Sequence, residues 1–477
     1  MIEPPLIAHG GLFTDLYELT MAQGYFCAGM AESVACFDYF FRKNPFGGGY
    51  VIFAGLEDLL EMLENLRFGP DDLEYLARQH FRRDFLEWLA AFRFRGEIAA
   101  PPEGEVVFPE EPVARVRAKI IEAQLIETVV LNLLNFQSLI ATKAARVVQA
   151  AKGRGVVDFG LRRAQGLGGI HASRAAVVGG VEATSNVYAA FRYAIEPNGT
   201  QAHSWVQSFP DELAAFREFA RVFPDRCVLL VDTYDTLRSG IPHAIAVARE
   251  LERAGHRLAG IRLDSGDLAW LSKQARARLD AAGLGYVKIV ASNRLDETIV
   301  RSLLDQGAPI DSFGVGTSLV TGAGDGSLDG IYKLCELDGS PRMKISDSEA
   351  KSTLPGRKEV LRFKDNDGRF TADAIVCAGE TRVGEMRHPL LPHQRTPLAS
   401  LQGGEPLLRI AMRGGQRASE PVSVHQSAAY AKQRLALLPA EFQRFENPHI
   451  YRVGISEMLA GLRRTLLDQA RARMEQE

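Results

Sequence analysis

Five polar constellations in the middle of this chain carry the residue types that catalysis needs. The segment Gly199-Thr200-Gln201-Ala202-His203-Ser204-Trp205 sets one histidine behind small, flexible residues. Neutral imidazole is a nucleophile and titrates near physiological pH, so a histidine at a loop mouth is a candidate for chemistry. A lone histidine would say little, because most are satisfied structural residues. Its company changes that reading. Asp232 and the run Arg262-Leu263-Asp264-Ser265-Gly266-Asp267 supply carboxylates. Asp264 and Asp267 stand either side of a Ser-Gly turn, where they can face sugar hydroxyls or a magnesium ion. Asp267 also suits a helix cap, and we assign capping to Asp267 and function to Asp264. Arg162, Arg163 and Arg262 bring forked donors that fit carboxylate or phosphate as well as structural ion pairs. Gly314-Val315-Gly316-Thr317 combines two glycines, which allow close backbone approach, with a hydroxyl, so it can form an anion nest or a plain tight turn. Together these residues imply an anionic substrate at one site.

The elements that must position them alternate. From about Val156 to Thr317, short apolar runs are each followed by a polar loop and usually an amphipathic segment, the pattern of βα units around a parallel sheet. The strands are read at Val156 to Gly160, Cys227 to Asp232, Leu258 to Asp264, Val287 to Ser292 and Ser312 to Gly316, with a helix at Asp267 to Ala282. Their apolar continuity suits burial on both faces. Ligands of such sheets collect at the carboxyl ends of the strands, where the polar constellations fall. Functional positions follow nearly every strand, which favours an irregular or incomplete α/β barrel over a doubly wound sheet with one crevice.

Around this catalytic region the chain divides into a mixed α+β N-terminal domain at 1–121, the barrel domain at 122–330, a strand-rich return to the N-terminal domain at 331–378, and a C-terminal helical and loop appendage at 379–477. Glu122 to Ala151 reads as one buried packing helix. Tyr332 to Leu337 and Arg342 to Ile345 read as a hairpin about Asp338-Gly339, and Ile455 to Glu477 as a charged terminal helix.

The chain has 477 residues, 46% of them hydrophobic, and a net charge of -3. That is ample for a large core and argues against a nucleic-acid binder, while local basic patches can still hold a phosphorylated ligand. Five scattered cysteines, Cys27, Cys36, Cys227, Cys335 and Cys377, lack metal-ligand spacing and fit reduced thiols in the cytoplasm. No structural zinc is expected. No export signal is read at Met1-Ile2-Glu3-Pro4-Pro5, and no run approaches the roughly 20 apolar residues of a membrane span.

Several of these segments resemble the nicotinate phosphoribosyltransferases, a family of type II phosphoribosyltransferases. The resemblance rests on Thr14-Asp15-Leu16-Tyr17-Glu18-Leu19-Thr20, Phe159-Gly160-Leu161-Arg162-Arg163-Ala164-Gln165-Gly166, the His203 segment, Arg262 to Asp267, Gly314 to Thr317 and Pro341-Arg342-Met343-Lys344. It spans most of residues 10–360 and adds little beyond about residue 380. It implies transfer of a phosphoribosyl group from phosphoribosyl pyrophosphate to the ring nitrogen of nicotinate, in NAD biosynthesis, coupled to ATP hydrolysis. By the same resemblance His203 is the residue phosphorylated by ATP. Tyr17, Arg162, Thr200 and Arg262 fall at nicotinate positions, and Thr317 with Gly314 and Gly316 at a phosphate site. Asp232 and Asp264 match acidic positions near the ribose and Mg2+, with Asp264 as the metal candidate. Arg42, Lys333 and Lys351 match basic phosphate contacts. The resemblance further implies a homodimer with shared active sites, Tyr17 of one subunit stacking on nicotinate bound by the other.

Nicotinamide phosphoribosyltransferase is the nearest alternative; the paired arginines after Phe159 favour nicotinate. Quinolinate phosphoribosyltransferase would call for a denser basic pocket and no ATP-linked histidine. A metal-dependent barrel hydrolase or lyase using Asp232, Asp264 and His203, and a non-catalytic binding protein, are the readings from other classes.

Overall fold

The computed structural model describes residues 9–345, 353–391 and 393–474. Packing divides the chain into two compact units, residues 1–139 with 327–477, and residues 140–326.

The unit of residues 140–326 is built on seven strands, all parallel. Their order is Glu196–Pro197, Ala183–Thr184, Gly155–Asp158, Ser312–Val315, Lys288–Ser292, Gly260–Leu263, Val228–Leu230. Followed around this order, each strand neighbours the next in sequence, and the last strand, Ser312–Val315, pairs with the first, Gly155–Asp158. The circuit breaks once, between Glu196–Pro197 and Val228–Leu230, which are the two edges. This is a curled, incomplete α/β barrel. The His203 segment lies in the sequence interval between the two edge strands.

Ile261, Leu263, Ile289, Ala291, Phe313 and Val315 are buried, as continuous apolar strands under covering helices require. The expected strands are present with no end shifted by more than two residues. The helix after Arg262–Asp264 runs Leu268–Ala281, and Asp267 caps it by accepting the Trp270 N–H at 3.0 Å.

The other unit carries an antiparallel sheet in the order Ser340–Pro341, Gly330–Leu337, Val34–Phe41, Ala114–Lys119, Glu97–Ala100, Arg409–Arg413, Gln416–Arg417. The strand-rich segment thus returns to pair with the N-terminal strand Val34–Phe41. Asp338 and Gly339 take φ of +47° and +74°, as the Asp-Gly turn demands. The returning strand is shorter than expected. Strand pairing is confined to Ser340–Pro341; the Arg342 N–H still donates to the Cys335 carbonyl at 2.8 Å, but the segment to Ile345 is irregular, the Lys344 N–H turning to the Thr353 hydroxyl at 2.9 Å.

The same unit holds a six-stranded sheet, Arg395–Pro397, Glu385–Arg387, Arg452–Ser456, Phe370–Cys377, Lys358–Lys364, Gln402–Pro406. The segment 379–477 therefore adds strands to both sheets besides its helices and loops. It packs as one body with residues 1–139, with no boundary at 379. The terminal helix starts later than expected, at Glu457, because Ile455 is buried in the sheet opposite Ile375.

A buried ion cluster ties this unit together. Arg362 grips Asp373 through Nε and Nη2, at 2.9 and 2.6 Å, and donates from Nη1 to Glu105 at 2.7 Å. Arg434 and Tyr430 also bond Glu105, and Tyr451 bonds Asp373.

The expected helix Glu122 to Ala151 is two helices, Ile120–Gln124 and Glu127–Ala150, with Gln124 donating to Glu127 across the turn at 2.7 Å. Residues of its first half, Val129, Val130, Leu133 and Leu134, belong to the core of the unit of residues 1–139. Packing therefore divides at 139/140 instead of 121/122. By length and composition Ile120–Ala150 would suffice to cross a membrane, contrary to the sequence reading; 72% of its apolar window is buried, as in a core helix.

Candidate active site

The barrel strands deliver side chains to one end. Arg262, in Gly260–Leu263, donates from Nε to Ser292 Oγ at 2.8 Å, from Nη1 to Thr200 Oγ1 at 3.0 Å and from Nη2 to Asp264 Oδ1 at 3.0 Å. Its planar face lies 5.2 Å from the centre of the Phe159 ring. Five N–H groups with three engaged leave one on each Nη, enough to receive a carboxylate.

Asp264 Oδ1 also accepts a short hydrogen bond from the Ser292 hydroxyl, while Oδ2 lies 3.8 Å from His203 Nε2. His203 opens the short helix His203–Gln207, and its Nδ1 is 3.1 Å from Thr233 Oγ1. Asp232 follows the edge strand Val228–Leu230. Its Oδ2 accepts the Asp264 N–H at 2.8 Å and the Ser265 hydroxyl at 2.6 Å. Its Oδ1 is buried without a hydrogen-bond partner among the described residues. Thr200, His203, Asp232, Arg262 and Asp264 are thereby brought into one connected network.

Other expected residues lie around it. Arg162 sits in a short turn, Leu161–Arg163, exposed and without an ion pair among the described residues. Thr317 begins the helical turn Thr317–Val320, with Gly316 before it. Gly314 is inside its strand and buried, and a Cβ there would stand 2.4 Å from the Phe159 ring. Glycine at 314 thus makes room for the ring that underlies Arg262.

The remaining candidates are in the other unit. Tyr17, on the helix Leu16–Cys27, is 44% exposed; burial, then the nearby Glu127 and Glu18 carboxylates, raise its phenol above the usual range. Arg42 and Lys333 line a cavity of about 200 Å³ together with Lys344 and Glu127. Glu127 therefore joins Tyr17 to this basic cavity. Lys351 lies outside the described residues.

The comparisons with known proteins agree along the whole chain. The N-terminal domain model of nicotinate phosphoribosyltransferase matches residues 12–135, the family model 155–376 and the C-terminal domain model 357–463. A nicotinate phosphoribosyltransferase of Mycobacterium tuberculosis is 46% identical over 458 residues, covering 95% of this chain and 93% of the relative. This chain belongs to the nicotinate phosphoribosyltransferase family. A member from Bacillus subtilis is 40% identical, with 98% of this chain and 97% of the relative covered. The crystal structure of human nicotinic acid phosphoribosyltransferase superposes with a TM-score of 0.86 at 33% identity, covering 95% of this chain and all of that one.

Sequence reasoning missed several members of the network. Ser292 was read only as a strand end, Ser265 only as part of the Ser-Gly turn, and Thr233 not at all; their signal is position, each at or just beyond a strand's carboxyl end. Asp158 was missed likewise. It is wholly buried, accepts from Ser173 and Thr184 at 2.7 Å and from the Gly160 N–H at 2.8 Å, and burial raises its carboxyl above the usual range. It fixes the strand end from which the Arg162 turn leaves.

The donor set fits the magnesium that the family implies. Asp232 and Asp264 offer hard oxygen, and the buried, unpartnered Asp232 Oδ1 is an open donor. No cluster of three or more His, Cys, Asp or Glu suited to a metal occurs among the described residues. Two carboxylates suit Mg2+, which keeps several waters and completes its shell with substrate phosphates.

Proposed function

We propose that this chain forms nicotinate mononucleotide and pyrophosphate from nicotinate and phosphoribosyl pyrophosphate, with ATP hydrolysis coupled through phosphorylation of His203. The observation that carries this reading is the chain of hydrogen bonds from Thr200 through Arg262 to Asp264, with His203 Nε2 3.8 Å beyond it, which sets a carboxylate receptor beside a nucleophile.

Arg262 and Thr200, with Arg162, receive the nicotinate carboxylate, and the Arg262–Asp264–Ser292 bonds hold the guanidinium in place. Asp232 and Asp264 orient the ribose and oppose the positive character that grows at the sugar carbon as pyrophosphate leaves. They would also hold Mg2+, which supplies charge neutralisation to the leaving phosphates. Thr317 and Gly316 meet a phosphate, with Gly314 shaping the wall behind them. Arg42, Lys333 and Lys351 add basic contacts to phosphate.

Thr233 engages His203 Nδ1, which leaves Nε2 as the phosphoryl acceptor. There the nitrogen–phosphorus bond forms as the bond from the γ-phosphorus to ADP breaks, and water later takes the phosphoryl group. The charge added beside Asp264 changes the affinity of the loop for its anionic substrates.

A homodimer with shared sites completes the proposal. Tyr17 of one subunit stacks on nicotinate held by its partner. Supporting this, Leu16, Tyr17 and Met21 are all exposed on the helix Leu16–Cys27, and Val187 and Phe191 are 73% and 86% exposed on the helix Val187–Tyr193. All five cysteines are free thiols, in keeping with a cytoplasmic enzyme.

Incubating purified protein with magnesium, phosphoribosyl pyrophosphate and either nicotinate or nicotinamide, with and without ATP, tests the proposal. It predicts nicotinate mononucleotide as the main product, formed faster with ATP. Equal or preferential use of nicotinamide would overturn the substrate assignment.

A further inference from the structure

Gln201 has no part in the chemistry above, yet it stands between Thr200, which bonds Arg262, and the His203 loop. It is 6% exposed, and both its Oε1 and its Nε2 are buried without a hydrogen-bond partner among the described residues. Buried side-chain amides are nearly always paired, so an amide open at both ends beside a reactive site points to something that pairs it. The loop places it there with little freedom. Its backbone carbonyl accepts the Thr200 hydroxyl at 2.9 Å, and Ala202 continues in extended conformation into the His203 helix.

The chemistry of the two ends selects the ligand. An amide oxygen needs a donor and an amide nitrogen needs an acceptor. Carboxylate and phosphate oxygens only accept, so nicotinate or pyrophosphate would leave Oε1 unpaired. A hydroxyl does both.

We propose that Gln201 hydrogen-bonds a sugar hydroxyl of the phosphoribosyl donor and so sets the ring's orientation toward the base. This rests on the phosphoribosyl-transfer reading above. Gln201 thereby positions the sugar, while Arg262 and Thr200 position the base.

The test compares native enzyme and Gln201→Met on phosphoribosyl pyrophosphate and on its 2-deoxy and 3-deoxy analogues, with nicotinate saturating. Native enzyme should lose about tenfold or more in kcat/KM on one deoxy donor, the scale of one lost hydrogen bond in a buried site. Gln201→Met should lose a similar factor on the full donor and show little further loss on that same deoxy donor. Its KM for nicotinate should stay within about twofold of native, by the same reckoning that an untouched contact costs nothing. Full native discrimination against both deoxy donors in the variant, or a change confined to nicotinate KM, overturns the proposal. Should Gln201→Met melt well below the native protein, Gln201→Glu, which keeps an acceptor and loses the donor, carries the same comparison. Native protein that makes no nucleotide from the full donor would instead refute phosphoribosyl transfer itself.

Discussion

At the scale of single residues, the proposed recognition of the base rests on Arg262. Three of its donors are held by Ser292, Thr200 and Asp264, so its geometry is set before substrate arrives. Arg262→Ala should therefore weaken nicotinate use by about 1.5–3 kcal/mol, the range for a lost charge-assisted hydrogen bond, with little change in melting temperature. Steady-state kinetics with nicotinate varied checks this; normal kinetics in the variant would make Arg262 structural. The importance of Arg262 was legible in the sequence because arginine inside a short apolar strand is costly without a partner. Its support was not, since Ser292 and Thr200 are small hydroxyl residues of ordinary type, distant in sequence, that only the strand register brings together. The same holds for Phe159, whose ring beneath Arg262 needs Gly314 opposite it.

At the scale of elements, the buried cluster around Arg362 decides whether the C-terminal sheet stays on its unit. Glu105, Glu111 and Asp373 are buried around Arg362, with Arg434 supplying a second positive charge. Removing Arg362 leaves Glu105 to Arg434 but takes the counter-charge from the buried Asp373 and Glu111, so Arg362→Ala should cost about 3–5 kcal/mol in denaturant unfolding. Cost below 1 kcal/mol would show that the cluster is not structural; that limit is roughly what an exposed pair contributes. Burial, and then the Asp373 carboxylate, hold the Glu111 carboxyl well above the usual range. A carboxyl raised in the folded state adds stability that is complete below its unfolded pKa and is lost as pH rises through the folded value. Glu111→Gln copies the protonated form, so its stability relative to native should increase with pH from acid toward neutral and alkaline conditions. Melting temperatures across that range test the sign, and a variant that loses stability relative to native as pH rises would contradict it. The barrel strands were legible because each is an apolar run ending in polar residues. Strands such as Gln402–Pro406 were not, because two glycines, a glutamate and a proline give no period; tertiary pairing with Lys358–Lys364 makes that segment a strand. The return of Gly330–Leu337 was legible through its Asp-Gly turn, whereas the early end of its partner strand was not, because the bond that draws Lys344 to Thr353 is tertiary.

At the scale of the whole molecule, the account requires two subunits and two chemical events. Mixing Tyr17→Ala with Asp232→Ala subunits, each inactive alone, should restore a substantial part of native activity once exchange is confirmed, because one site in each mixed dimer then has neither lesion. No recovery would place Tyr17 in its own subunit's site or outside the chemistry. The order of the sheet, with His203 in the interval between its two edge strands, was not legible beforehand, because the strands Ala183–Thr184 and Glu196–Pro197 are too short to stand out. The central claim is that His203 couples ATP hydrolysis to nucleotide formation. Its most direct test is to measure ADP and nicotinate mononucleotide together in native enzyme and in His203→Ala. The account predicts matching amounts of the two in the native enzyme, and in the variant slow nucleotide synthesis with no ADP formed; a variant that still produces ADP in step with nucleotide would contradict it.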